Sequence, residues 1–177
     1  MTDNITLDVT EVVAQFPSFR VALVVAENLN IAPMRPVPLE EFVREVESEV
    51  SEAVADRELA DIAELKSWRD AYKAFGVKKT SYRSSVERLL KSVQRGASLP
   101  RVNALVDLYN AVSALHRMPV GADDIDRIKQ PLAFRYARAD DTFVALGDAS
   151  QTPDPPKPGE VVYADAVKVL CRRWNWY

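Results

Sequence analysis

The sequence is poor in the residues that build disulfides and metal centres. Its 177 residues include one cysteine, Cys171, and one histidine, His116. A single cysteine cannot form an internal disulfide, and one Cys with one His cannot supply the four ligands of a structural zinc site. We therefore expect no metal, a buried and unreactive thiol at Cys171, and a role for His116 at a helix end rather than in catalysis.

Glycine and long apolar runs are also scarce. With five glycines, the chain lacks the Gly-x-Gly-x-x-Gly and Gly-x-x-x-x-Gly-Lys-Ser/Thr patterns, so we expect no cofactor and no use of ATP. The absence of a Gly-x-Ser-x-Gly elbow gives no indication of covalent catalysis. The longest apolar stretch, residues 21–26, is far shorter than the roughly 20 residues that cross a bilayer. Because no signal peptide opens the chain, we expect a cytoplasmic protein without a membrane partner.

The remaining composition is ordinary for a globular protein. Hydrophobic residues make up 47% and charged residues 28%, and the length fits one domain over residues 1–177. Helical periodicity predicts helices at residues 39–58, 62–75, 84–93 and 102–115. Alternating and β-branched runs predict strands at residues 5–9, 19–25, 132–136, 142–146, 160–163 and 167–170. With a proline-rich surface loop at residues 152–159, this order predicts an α+β fold in which a mixed sheet packs against helices.

Charge is distributed unevenly along the chain. Six glutamates lie among apolar positions between Glu40 and Glu52, whereas residues 69–101 contain nine Lys and Arg against two Asp and Glu, a net charge of +7. The basic stretch could bind a polyanion, although charged residues also commonly only solvate helix faces. Residues 172–177 combine arginines with aromatic rings that could stack on bases. We favour the alternative that these rings pack into the core and anchor the chain end.

Several short stretches carry a more specific signal. They are residues 84–90 (Ser-Ser-Val-Glu-Arg-Leu-Leu), 105–110 (Leu-Val-Asp-Leu-Tyr-Asn), 118–121 (Met-Pro-Val-Gly), 134–135 (Phe-Arg), 141–147 (Asp-Thr-Phe-Val-Ala-Leu-Gly) and 159–165 (Gly-Glu-Val-Val-Tyr-Ala-Asp). In this order they resemble the B3/B4 domain of the phenylalanyl-tRNA synthetase beta subunit over roughly residues 80–170. The earlier part resembles the N-terminal portion of free-standing proteins built on that domain. The resemblance implies a B3/B4 fold whose pocket accepts the 3′ end of mischarged tRNA and hydrolyses its ester bond.

The resemblance also assigns residues to this pocket. Glu160 matches the family's glutamate that recognises the side chain of the wrong amino acid, and Asp141 is the alternative. Asn110 matches a family asparagine and could bind a carbonyl or the terminal ribose, while Asp107 lies one turn earlier on the same helix face. Arg135 also lines the pocket. The structural alternative is that Asp107 and Asn110 bond only to backbone or to Arg135 and hold the helix against the sheet.

Gly121 departs from the family pattern. Residues 117–121 are Arg-Met-Pro-Val-Gly, where the synthetase domain has Gly-Gln-Pro-Leu-His, so a glycine replaces the editing histidine. This difference implies either a wider pocket for another amino acid or a pocket that binds without hydrolysing, because glycine adds space and no chemistry.

Three functional hypotheses result. The first is a free-standing deacylase of mischarged aminoacyl-tRNA, with Asn110 and Glu160 as catalytic residues and water as the nucleophile. The residues assigned to the tRNA backbone are Lys78, Lys79, Arg83, Arg88, Lys91 and Arg95. The second is a module on the same fold that binds tRNA, an amino acid or another small ligand without turnover. The third is a protein-interaction domain whose acidic helix at residues 39–58 binds a basic partner. The sequence leaves open which amino acid and which tRNA are involved, and what the oligomeric state is.

Overall fold

The computed structural model describes residues 5–77, 82–145, 147, 149–150 and 152–175. Within these ranges it forms five α-helices and a four-stranded mixed sheet, which confirms the predicted α+β class. The helices and strands are β1 (Leu7–Asp8), α1 (Thr10–Gln15), α2 (Val37–Val54), α3 (Ala63–Ala74), α4 (Ser85–Gln94), α5 (Ala104–His116), β2 (Leu132–Tyr136), β3 (Val161–Ala164) and β4 (Val169–Cys171). A short 3-10 turn, Leu59–Asp61, precedes α3.

The chain divides into two compact units. The helical unit comprises Leu23–Asp70 and Arg83–Ala122, and so contains α2, the first part of α3, α4 and α5. The sheet unit comprises Met1–Ala22, Ala71–Tyr82 and Asp123–Tyr177, and so contains α1 and the four strands.

A continuous hydrophobic core fills the helical unit. Helix α2 has Pro38 in its first turn and buries one face of its 18 residues. The buried residues of that face are Val43, Val46, Val50 and Val54. They pack with Leu90 of α4 and Ala114 of α5. Since apolar residues three or four positions apart form a stripe along one side of a helix, Glu45, Glu49 and Glu52 between them remain exposed.

Local hydrogen bonds set the ends of α4 and α5. The Ser84 side chain accepts a hydrogen bond from the backbone N–H of Glu87 at 3.4 Å. The Asn103 side chain accepts one from the N–H of Val106 at 2.9 Å. Gly96, just after α4, has a φ of 79°, a left-handed conformation that glycine adopts without steric cost. Ser84 therefore caps the start of α4, and Gly96 follows its end.

The sheet has the strand order β1-β2-β3-β4, with β1 parallel to β2 and the other pairs antiparallel. The central pair aligns Phe134 with Tyr163 and Arg135 with Val162. The rings of Phe134 and Tyr163 stack with centroids 4.9 Å apart. Because successive side chains alternate between faces, Val162 points to the opposite face, where it packs with Phe143 in a small core.

Trp174 anchors the end of the chain, as predicted. Its side chain is buried, and its ring lies against Phe16 and Phe19, with centroid distances of 5.0 Å and 4.7 Å. This packing confirms the preference for core packing over base stacking at this residue. The same prediction for the aromatic residues at 176–177 concerns positions outside the described residues.

Two strand predictions need correction. Residues 19–25 form no strand and have irregular backbone. The exposed large apolar side chains of this stretch are Val21, Leu23, Val24 and Val25. A strand needs a neighbouring strand for its backbone groups, and β-branched composition alone does not supply one. The strand predicted at 142–146 is reduced to one bridge between Val144 and Pro153, and Leu146 lies outside the described residues.

Three smaller expectations have mixed outcomes. The loop at residues 152–159 is irregular, as predicted, although Pro156 within it is buried. His116 lies in the last turn of α5, where it was expected. Cys171 is partly exposed rather than buried, because it ends β4 at the edge of the sheet. No helix in the described part of the chain is long and apolar enough to cross a bilayer.

Candidate nucleic-acid interface

Helix α4 separates apolar and basic side chains onto different faces. Its buried apolar residues are Val86, Leu89, Leu90 and Val93. Arg88, Lys91 and Arg95 are exposed, and residues three and four positions apart lie on the same side of a helix. These three residues, of which Arg95 caps the helix, form one surface that we call the basic face of α4.

Lys91 and Arg95 of the basic face present charge that is available for a ligand. Within the described ranges, the side chains of Lys91 and Arg95 form neither a hydrogen bond nor an ion pair. The separation of Arg88 and Arg95 corresponds to about 10 Å along the helix axis. Three cations along two helical turns suit contacts with the phosphates of a nucleic-acid backbone.

Arg83, another predicted backbone contact, is engaged within the protein. Its Nε lies 2.7 Å from Oε1 of Glu87, which is buried. Arg69 donates from Nε to the other oxygen of Glu87 at 3.0 Å. Two guanidinium groups therefore share one buried carboxylate, and Arg83, which precedes α4, is not part of the basic face. Lys78 and Lys79 lie outside the described residues.

Asp107 and Asn110, both on α5, have different surroundings. The buried carboxylate of Asp107 accepts hydrogen bonds from Nε of Arg35 at 2.7 Å and from the N–H of Val102 at 2.8 Å. Asp107 therefore holds the start of α5, and its charged partner is Arg35 rather than Arg135. Asn110 is half-buried, and no residue that the structure describes forms a hydrogen bond with its amide group. Of this pair, Asn110 is the one whose polar group is available.

Arg135 and Asp141 form a two-pronged ion pair in the sheet unit. Nη1 and Nη2 of Arg135 donate to the two Asp141 carboxylate oxygens, each at 2.7 Å. The N–H of Arg138 donates to Asp141 at 2.7 Å. Hydrogen bonding to Arg135 is the main cause that lowers the pKa of Asp141 below its ordinary value. Two residues that were assigned to the pocket separately are thus in direct contact.

Glu160 lies in a second buried ion pair of the sheet unit. Its carboxylate accepts hydrogen bonds from Nε and Nη2 of Arg172 at 2.9 Å and 2.8 Å. The N–H of Arg173 donates at 3.1 Å and that of Lys157 at 3.3 Å. Arg172 also donates to the carbonyl of Asp154 at 3.0 Å. Glu160 therefore joins the end of the chain to the proline-rich loop.

Gly121 lies in the helical unit and is exposed. A Cβ at this position would have no neighbouring atom within 4 Å, and the backbone is not left-handed. A larger side chain therefore fits. The predicted pocket residues divide into Asp107, Asn110 and Gly121 in the helical unit and Arg135, Asp141 and Glu160 in the sheet unit. Their assignment to one pocket stays a prediction.

Sequence reasoning missed Arg35 and Arg172. Both side chains are almost fully buried, at 2% and 1% exposed, and each neutralises a predicted site carboxylate. The available signal was an arginine within a mainly apolar stretch, at residues 31–38 and 169–174. Among the described residues, no group of three or more His, Cys, Asp and Glu side chains could hold a metal ion.

Comparison with known proteins supplies the family. No curated protein and no solved structure matches the chain. A family model described as the B3/4 domain matches residues 67–177, from within α3 onward and over more than half of the sequence. That domain is associated with tRNA binding in the phenylalanyl-tRNA synthetase beta subunit. The match includes the basic face of α4, the half-buried Asn110 and both ion pairs of the sheet unit, and the chain therefore belongs to the B3/4 domain family.

Proposed function

We propose that this chain binds tRNA and hydrolyses the ester bond of mischarged aminoacyl-tRNA, with water as the nucleophile. The observation that carries the proposal is the basic face of α4, which lies inside the family match. Contacts of Lys and Arg with phosphates supply most of the non-specific affinity for nucleic acid. The proposal treats residues 1–177 as one cytoplasmic domain that works without a cofactor.

The proposed reaction asks for little chemistry from the protein. An aminoacyl ester is already activated, so a positioned water and a donor that polarises the carbonyl can hydrolyse it. We assign the donor to Asn110, because its amide is half-buried and forms no hydrogen bond with the residues that the structure describes. The bonds of Asp107 to Arg35 and Val102 hold the first turn of the helix that carries Asn110.

Recognition of a hydroxyl on the wrong amino acid needs a free acceptor. A carboxylate has about four lone-pair sites. Glu160 already accepts four hydrogen bonds, whereas Asp141 accepts three. Glu160 would have to give up an existing bond to accept a ligand, and Asp141 would not. We therefore assign the acceptor to Asp141 ahead of Glu160.

Deacylation of a panel of radiolabelled mischarged tRNAs tests the proposal. Loss of one polarising donor lowers a rate by about 10²–10³-fold, so we expect Asn110→Ala to approach the buffer rate while its affinity for tRNA stays close to that of the wild type. Ser98→Ala, in an exposed loop, is the control and should retain full activity. A wild-type rate in Asn110→Ala would remove Asn110 from the mechanism.

A second candidate function is tRNA binding without turnover. Two observations favour it: the glycine at the position of the family's histidine, and the engagement of Asp107, Asp141 and Glu160 by arginines. The same panel separates the two functions. A folded wild type that binds tRNA with steep salt dependence and hydrolyses no mischarged ester would establish the binding function.

A further inference from the structure

An open apolar groove runs along the helical unit and plays no part in the proposed tRNA chemistry. Its volume is about 430 Å³, and it lies between residues 29–31, the start of α2 and the start of α5. The lining residues are Leu29, Asn30, Ile31, Pro38, Leu39, Phe42, Ala104, Leu105 and Leu108. Leu29 and Leu108 are 53% and 42% exposed. Contiguous exposed apolar surface of this kind usually marks an interaction site.

One rim of the groove is acidic. Phe42 lines the groove, and Glu41 and Glu45 are exposed beside it, one helical turn apart on α2. Neither carboxylate forms an ion pair with a residue in the described ranges. Helix α5 contains no Lys or Arg, and the exposed Arg101 that precedes it pairs with Glu40 rather than with Glu41 or Glu45.

We infer that the groove docks an amphipathic helix of a partner protein, whose apolar stripe enters the groove and whose lysines or arginines face Glu41 and Glu45. Anchors at positions i, i+3 or i+4 and i+7 of a helix fit a groove of this type. A small ligand fits poorly, because the groove is open and Asn30 is the polar residue among its walls. A second copy of the chain fits poorly too, because a two-fold contact would bring its acidic rim toward the same acidic rim.

The test uses the full chain and three synthetic peptides of about 18 residues, five helical turns. The first is an amphipathic Leu/Lys helix, the second has the same composition in scrambled order, and the third is an amphipathic Leu/Glu helix. Fluorescence anisotropy measures the dissociation constant of each labelled peptide. The variants are Leu108→Asp and Leu29→Asp on separate walls of the groove, together with Glu41→Lys/Glu45→Lys on the rim.

Two substitutions serve as matched controls. Val24→Asp changes an apolar residue that is 86% exposed and lies outside the groove. Glu52→Lys reverses an exposed charge near the far end of α2. Because all altered side chains are at least partly exposed, circular dichroism should show an unchanged fold for every variant.

The Leu/Lys helix is expected to bind more tightly than both other peptides. Leu108→Asp and Leu29→Asp should each weaken its binding by about tenfold or more, and the rim variant by several-fold at low salt, with both controls within about twofold. Equal binding of the scrambled or the Leu/Glu peptide would overturn the inference. A concentration-dependent dimer in analytical ultracentrifugation that Leu108→Asp dissociates would also overturn it, because the occupant would then be a second copy.

Discussion

Neutralising the basic face of α4 should remove a measurable part of the affinity for tRNA. The triple variant Arg88→Gln/Lys91→Gln/Arg95→Gln removes three exposed cations. Each phosphate contact contributes about 0.7–0.9 to the slope of the logarithm of the binding constant against the logarithm of salt concentration, so the slope should fall by about 2–3. Because this contribution vanishes near 1 M salt, binding at 0.1 M should weaken by roughly 10²–10³-fold.

Fluorescence anisotropy with labelled tRNA over about 0.05–0.4 M salt measures the slope. The matched control is Arg44→Gln, which removes an exposed cation of α2 that lies outside the family match. Lys91 lies in the last turn of α4 and Arg95 caps it, where losing a cation costs only about 0.3–1 kcal/mol at each site, and Arg88 is exposed, so the triple variant should remain folded. A folded triple variant with the wild-type slope would refute the assignment of the basic face to tRNA.

Three further predictions address the assigned pocket residues. Gly121→His should fold, because its Cβ meets open space, and should raise deacylation by about 10²-fold if an imidazole can act there as a general base. Glu160→Gln should lower the free energy of unfolding in urea by about 3 kcal/mol, because the buried Arg172 loses its buried charged partner and keeps only the exposed carboxylate of Asp154. Asp141, whose pKa is lowered mainly by its hydrogen bonds to Arg135, stabilises the fold above its ordinary pKa of 3.8, and this contribution is lost as the pH falls below that value. Asp141→Asn should therefore lose less stability than the wild type between about pH 5 and pH 2, as measured by thermal unfolding.

One exposed carboxylate serves as the control for two of these variants. Asp124 lies 3.5 Å from Arg127, and both side chains are more than half exposed. Asp124→Asn should change stability by less than about 0.5 kcal/mol, since exposed ion pairs contribute little. A Glu160→Gln variant as stable as Asp124→Asn would contradict the buried ion pair. Gly121→Gln is the control for Gly121→His. Equal deacylation rates in the two variants would show that an imidazole at residue 121 does not act as a general base.

Helices α2 to α5 could be predicted to within a few residues because their signals are local, whereas the six-residue α1 was not predicted. Apolar residues recur every three or four positions in α2 to α5, and Ser84 and Gly96 mark the ends of α4 within a short stretch of sequence. The strand expected at 19–25 has the same quality of local signal but no partner strand. Strand pairing depends on residues far away in the chain, and a single sequence does not reveal which of them will be adjacent.

The candidate site could be predicted only as a set of residue types. Sequence and resemblance identify the carboxylates, but the number of lone pairs that remain on each depends on partners elsewhere in the chain. Asp107 meets Arg35 across 72 positions, and no periodicity connects the two. Glu160 lies closer to Arg172 in sequence, yet their contact depends on the pairing of β3 with β4. For this reason the availability of Asn110 becomes evident only in three dimensions.

The family match begins at a position that divides the residues of one hydrophobic core into two groups. The match begins at residue 67, yet Val46 and Val50 of α2 belong to the same core as Leu90 of α4. A change of side-chain volume on one side of that boundary leaves a void or an overlap on the other, at a cost of about 1–3 kcal/mol. During evolution, a change of side-chain volume in α2 should consequently be accompanied by a compensating change in the part of the core that lies after residue 67.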